Sequence, residues 1–242
     1  MTWRILSRAA RARPRSNLSR HERCRDDGSR SVRLSVKLLL GMCFLLASGA
    51  AAAVDRDEAL DERVKKFLES RKGTWRDLNV PEVDGRTLRD LIVRNRYTRA
   101  LEIGTSTGHS TVWIAWGLAE TGGKLITVEI DPRRRNIAVA NLEEAGLSQY
   151  VDSRLADAHD LVPKLEGPFD FVFSDADKEW YTSYFKELWP KVTPGGCFVA
   201  HNVAMNNEGI REFLAHLKTV EDGETRIDEQ SRAGLSITCK KK

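Results

Sequence analysis

At 242 residues the chain is long enough for one large domain or two small ones. Its net charge of +4 is unevenly spread: residues 1–37 carry 11 Lys/Arg against 3 Asp/Glu, and the rest carries 28 against 32. The body is therefore mildly acidic, which excludes a nucleic-acid binder that works through a basic surface, and Cys24, Cys43, Cys197 and Cys239 match no metal-ligand spacing.

Residues 1–37 are rich in Arg and Ser and lack hydrophobic periodicity, as expected of a disordered leader. Residues 38–47 are apolar and run into Ser48-Gly49 and four alanines. A basic flank, a short apolar core and small residues make up a secretory signal, and Ala51-Ala52-Ala53 offers a cleavage site before Val54. An uncleaved N-terminal anchor is the alternative. The division is then 1–53 for leader plus signal or anchor, and 54–242 for the working domain. The expected location is exported (periplasmic or secreted) or membrane-anchored, and cytoplasmic if the segment is not a signal.

In the body, residues 55–72 carry Leu60, Val64, Phe67 and Leu68 on one helical face, and Gly73 ends that helix. Asn79-Val80-Pro81 is extended, and Asp84-Gly85 turns into a helix bearing Leu88, Leu91 and Ile92. From Arg99 strands and helices alternate. The strands are 100–103, 124–130, 151–156, 169–174 and 197–200, with Pro194-Gly195-Gly196 a turn before the last. The helices follow His109, start at Asp131-Pro132, span 158–164 and 179–189, and close with 208–220. Segments 225–228 and 235–239 form a closing strand pair. Cys197 and Cys239 fall on strands and read as buried thiols, with pairing open if those strands are neighbours.

This order predicts an α/β fold: one Rossmann-like domain, a seven-stranded, mostly parallel sheet with helices on both faces, and an antiparallel strand pair at the C-terminus. In such sheets the ligand lies beyond the carboxyl ends of the strands. Polar residues interrupt the apolar runs there, at 104–110, 129–131, Asp157, 175–178 and His201-Asn202.

The first of these corners reads Leu101-Glu102-Ile103-Gly104-Thr105-Ser106-Thr107-Gly108-His109-Ser110. Glycines between strand and helix let a ligand approach the backbone, and the helix start offers free N–H groups. The spacing is not G-x-G-x-x-G, which argues against a nicotinamide-dependent oxidoreductase. Glu129 closes the second strand, where an acid accepts both ribose hydroxyls of a nucleoside. Asp157 accepts from an adenine amine or caps the helix after it. After the fourth strand, Asp175-Ala176-Asp177-Lys178 sets two acids and a lysine ahead of Tyr181 and Tyr184. A hydroxyl awaiting a methyl group needs a base, and a lysine in a dry pocket can serve. A hard cation beside a carboxylate would lower the hydroxyl pKa, and His201-Asn202 can reach the same point.

The glycine corner resembles the first motif of class I S-adenosylmethionine-dependent methyltransferases. With Val128-Glu129-Ile130-Asp131, Asp175-Ala176-Asp177-Lys178-Glu179-Trp180-Tyr181 and Pro194-Gly195-Gly196, the chain from about 80 to 240 resembles the cation-dependent O-methyltransferases of the catechol and caffeoyl-CoA type. The resemblance implies a cofactor site of Val80, Glu102, Gly104, Thr105, Ser106, Gly108, Ser110, Glu129, Ile130, Asp157, Ala158 and Asp175. It implies Lys178 as base, with Asp175 at the reaction centre and in a metal site with His201 and Asn202. The family has Asp-Asn after the fifth strand where this chain has His201-Asn202, so the divalent cation is Mg²⁺, Mn²⁺ or Zn²⁺, weakly held or absent. The implied acceptor is a small hydroxylated aromatic, with no nucleic-acid partner, no membrane beyond an N-terminal anchor, and a homodimer as one assembly. The other classes are a cofactor-binding relative without catalysis and a methyltransferase for a modified tRNA base.

Overall fold

The computed structural model of the protein describes residues 57–242. The leader, the signal or anchor segment, Val54, Cys24 and Cys43 lie outside the described residues. Among those described, no helix is long and apolar enough to cross a membrane.

Two helices come first, α1 (Glu58–Ser70) and α2 (Glu82–Asn95). Asp57 caps α1 by accepting from the Leu60 N–H. The alternation then runs β1 (Arg99–Ile103), α3 (His109–Thr121), β2 (Lys124–Glu129), α4 (Pro132–Ala145), β3 (Val151–Leu155), a single turn α5 (Ala158–Leu161) and β4 (Phe169–Ser174). It closes with α6 (Tyr181–Leu188), β5 (Val192–His201), α7 (Glu208–Leu217), β6 (Gly223–Asp228) and β7 (Leu235–Lys240). The sheet order is β3-β2-β1-β4-β5-β7-β6. Strands β1 to β5 pair in parallel, and β7 is antiparallel to both β5 and β6. The fold predicted from sequence is the fold observed.

Period-two alternation sorts the strands onto two faces. Ala100, Phe171, Phe173 and Val199 pack with Leu88 and Ile92 of α2 and Ile114 and Leu118 of α3. Leu101, Ile103, Val172 and Phe198 pack on the other face with Phe185 of α6 and Phe213 of α7. Both faces are covered, so the carboxyl ends of the strands are the open edge of the sheet.

Four local readings change. Asp84-Gly85 is not a turn: both residues lie inside α2, which starts at Glu82. Gly85 is there because α2 crosses α3 closely, and a Cβ would come within 2.2 Å of Trp113 Cδ1. Gly85→Ala should therefore cost about 1–3 kcal/mol, overpacking outweighing the better helix propensity of alanine. A lowered urea midpoint with unchanged slope would show it. The helix predicted over 179–189 opens as a 3₁₀ turn, Lys178–Trp180, and becomes α-helical only at Tyr181. The fifth strand begins at Val192 and runs through Pro194-Gly195-Gly196. Phe169 pairs with Val192 but Phe171 with Cys197, so residues 193–196 bulge out of the ladder, where proline and glycine are tolerated. Finally, Cys197 and Cys239 are directly opposed on β5 and β7 and form a disulfide, so they are not free thiols.

Candidate active site

A cavity of about 640 Å³ opens at the carboxyl ends of the parallel strands. Its floor is the glycine corner. Gly104 has φ +96° and Gly108 φ +93°, both in the region that glycine favours. The Gly104 N–H donates to Val128 O at 3.0 Å, and a Cβ on Gly104 would sit 2.6 Å from the Asp175 carbonyl oxygen. The ends of β1, β2 and β4 are thus locked together at this glycine. Three non-glycine residues on the wall, Leu78, Ser106 and Asn202, are also left-handed, at φ 47°, 48° and 61°. Such strain collects where surrounding structure dictates the backbone.

Glu129 ends β2 on the cavity wall. Its Oε2 accepts from the Ser106 N–H at 2.7 Å, and its Oε1 from the N–H groups of Ile130 and Asp131 at 3.0 and 2.9 Å. Three backbone donors fix the carboxylate while leaving lone pairs for a ligand. Asp157 caps α5 through the His159 N–H at 2.9 Å, one of the two readings made for it, and it lines the cavity beside Ala158. Ile130, largely exposed, offers an apolar surface at the same wall.

Glu102 stands elsewhere. It is fully buried behind the corner, accepting from Ser110 Oγ, Thr111 Oγ1 and Thr127 Oγ1, each at 2.6 Å. Ser110 and Glu102 therefore brace the corner from beneath, and Thr105 joins them through Thr127 at 2.5 Å. Gly108 faces Ala138. Val80 is core; its carbonyl meets His109 Nδ1 at 2.8 Å, and its neighbours Asn79 and Pro81 line the cavity.

Burial pushes the Glu102 carboxyl up to about 7, against the pull of its three hydroxyl donors. In the unfolded chain it returns to the ordinary value near 4.5, so the folded state holds a proton that the unfolded state releases between these limits. Stability from this group is full below pH 4.5 and is lost as pH rises through 7. Glu102→Gln should abolish that slope, worth on the order of 3 kcal/mol between its ends. Urea unfolding at pH 5 and pH 8 measures the difference.

A second polar cluster lies after β4. The Asp175 N–H donates to Ile103 O at 2.9 Å, holding its side chain at the cavity. Asp175 Oδ1 accepts from Lys178 Nζ at 2.7 Å and Asn202 Nδ2 at 2.9 Å. Asp175 Oδ2 lies 2.9 Å from His201 Nδ1, and His201 Nε2 lies 2.9 Å from Asp84 Oδ2. Burial works to raise the Asp175 carboxyl, but His201 and Lys178 outweigh it and hold it below the ordinary value. Burial would likewise lower His201, yet Asp175 and Asp84 push it up to about 9. Lys178 Nζ also donates to Ala176 O at 3.0 Å. Tyr184 and His159 also line the cavity, and His159 stacks on Trp180 at 3.8 Å and lies 3.5 Å from both Asp157 and Asp177.

Sequence reasoning missed Asp84, Arg134, His159 and Tyr184 as parts of the site. Arg134 lines the cavity and grips Asp77 through two bonds of 2.9 Å, tying the segment 77–81 to α4. Only Tyr184, six residues after Lys178 on the predicted helix, carried a local signal.

Sheet topology and cavity define an α/β protein with its ligand site at the carboxyl ends of a parallel sheet. A model of the O-methyltransferase family matches residues 50–216, and the chain belongs to that family. Catechol O-methyltransferase from Niastella koreensis is 41% identical over 116 residues, covering 46% of this chain and 52% of the relative. Its counterpart from Mycobacterium tuberculosis is 41% identical over 106 residues, covering 43% and 48%. The chain thus spans about half the length of these curated relatives. Among solved structures, an O-methyltransferase from Bacillus cereus in complex with SAH aligns with TM-score 0.61 at 26% identity, over 78% of this chain and 94% of that one. TomG from Streptomyces achromogenes, an O-methyltransferase in complex with SAM, aligns at 0.61 and 27%, over 79% and 93%.

Proposed function

We propose that this protein is an S-adenosylmethionine-dependent O-methyltransferase acting on a hydroxyl of a small phenolic, catechol-like acceptor. The observation that carries the reading is that one cavity joins the glycine corner and Glu129 at one end to Asp175 and Lys178 at the other. The named relatives support the acceptor class. In this reading Glu129 takes the ribose hydroxyls, Asp157 and Ile130 the adenine, and the backbone at Gly104 the methionine part. The acceptor lies beside Asp175 and Lys178.

The acceptor O–H gives its proton to the lone pair of Lys178 Nζ, which enters the step as the neutral amine. An oxygen lone pair forms the new O–CH₃ bond as the S–CH₃ bond breaks, and that bonding pair stays on sulfur, leaving a neutral thioether. Asp175 positions Lys178 and stabilises the ammonium that forms. No step runs through a divalent cation, because the residues expected to bind one are bonded to each other. Incubation of the full chain with methyl-labelled cofactor and a panel of catechols tests the reading. Label on a phenolic oxygen supports it, and none on any member of the panel defeats it.

An exported mature chain beginning near Val54 belongs to the same proposal. The Cys197–Cys239 disulfide supports it, since disulfides persist in oxidising compartments. N-terminal sequencing of the native protein decides it: residues 1–37 found intact would refute export by cleavage.

A further inference from the structure

The geometry points to an internal carboxylate–imidazole–carboxylate chain, Asp84–His201–Asp175, standing where a cation-dependent relative would hold its ion, so that no divalent cation binds there. The inference concerns the ion and not the acceptor, and it does not rest on the methyl-transfer reading.

Divalent ions are held through lone pairs on imidazole nitrogens, carboxylates or amide oxygens. His201 has none to give. Each of its ring nitrogens faces a carboxylate oxygen at 2.9 Å, although the ring lies on the cavity wall. Asp84 is the decisive partner. It is 1% exposed, it reaches His201 from α2, and the same Oδ2 accepts from Ser231 Oγ at 2.7 Å. Turning His201 onto an ion would strand that buried carboxylate without its main partner, a costly arrangement.

Asp175 and Asn202 are committed in the same way. Asp175 Oδ1 already accepts from Lys178 and Asn202, and Asn202 directs its amide N–H groups, not its oxygen, at Asp175. A cation arriving at Asp175 would meet the N–H donors of Lys178 and Asn202 and the His201 imidazole. The three residues read as a ligand set are therefore assembled as partners for one another. Where the family pattern puts a carboxylate acceptor, histidine supplies a donor, and Asp84 anchors it from behind.

The test uses full-length protein, stripped with EDTA and saturated with S-adenosylhomocysteine, titrated with Mn²⁺ and followed by the EPR signal of free Mn²⁺. Wild type should show no site tighter than about 1 mM, a range typical of weak oxygen sites. His201→Asp, which sets a third carboxylate between Asp84 and Asp175, should bind Mn²⁺ at least about tenfold more tightly. One micromolar Mn²⁺ site per wild-type chain would overturn the inference, and so would a folded His201→Asp variant no tighter than wild type. If circular dichroism shows that variant unfolded, the wild-type titration decides alone. Should wild type ignore Mn²⁺ yet methylate no phenol, the ion inference stands and the methyl-transfer reading falls.

Discussion

Lys178→Ala is expected to lower kcat toward a catechol acceptor by about 10²–10⁴-fold, the usual worth of a positioned general base, while changing S-adenosylhomocysteine affinity little. Lys178 stands at the reactive end of the cavity, where its Nζ is held by Asp175 Oδ1 at 2.7 Å and Ala176 O at 3.0 Å. Lys178 itself bonds to neither the glycine corner nor Glu129, so truncation leaves the nucleoside end intact. Lys178→Arg separates charge from proton transfer. Guanidinium sets N–H donors beside Asp175 but does not take up a proton at neutral pH, so this variant should be nearly as slow as alanine. Single-turnover rates with calorimetry on the same samples make the comparison. A Lys178→Ala enzyme within threefold of wild type would remove Lys178 from the chemistry, and a matching loss of cofactor affinity would mean that it serves binding instead.

The sheet could be read from the chain because its signals are local. Apolar runs such as 169–174, stopped by a polar residue and followed by a helical pattern, mark each strand and also the end at which chemistry belongs. Asp175, Glu129 and Gly104 were visible for that reason. What escaped depends on contacts distant in sequence. Asp84-Gly85 has the composition of a turn, but the turn preference gives way to the fit of α2 against Trp113 of α3. That misreading hid Asp84, which meets His201 across 117 positions of sequence. Without Asp84, His201 reads as a metal ligand; with it, the ring is spoken for on both sides. Glu102 depends on distant contacts too. The motif places it beside the cofactor, whereas Ser110, Thr111 and Thr127 draw it beneath the corner, a network that only the folded β1–β2–α3 junction reveals.

Gly104→Ala should do more damage than any other glycine substitution at the corner. Two costs add there. At φ +96° a side chain is strained, on the order of 1–3 kcal/mol. The new Cβ would also lie 2.6 Å from the Asp175 carbonyl oxygen and 2.9 Å from its carbonyl carbon, which are backbone atoms that cannot swing aside. Relief requires the ends of β1 and β4 to part, and Asp175 carries Lys178, His201 and Asn202 with it. Gly73→Ala is the matched control: its φ is +73°, but nothing lies within 4 Å of the added carbon. It should cost about 1 kcal/mol and leave ligand binding alone. Gly104→Ala should cost at least about 3 kcal/mol by the two terms together, and weaken S-adenosylhomocysteine by tenfold or more. Thermal melts with and without S-adenosylhomocysteine separate the two effects. If both variants lose equal stability and both keep the ligand-induced rise in Tm, backbone conformation alone accounts for Gly104, and the contact between the corner and Asp175 does not organise the site.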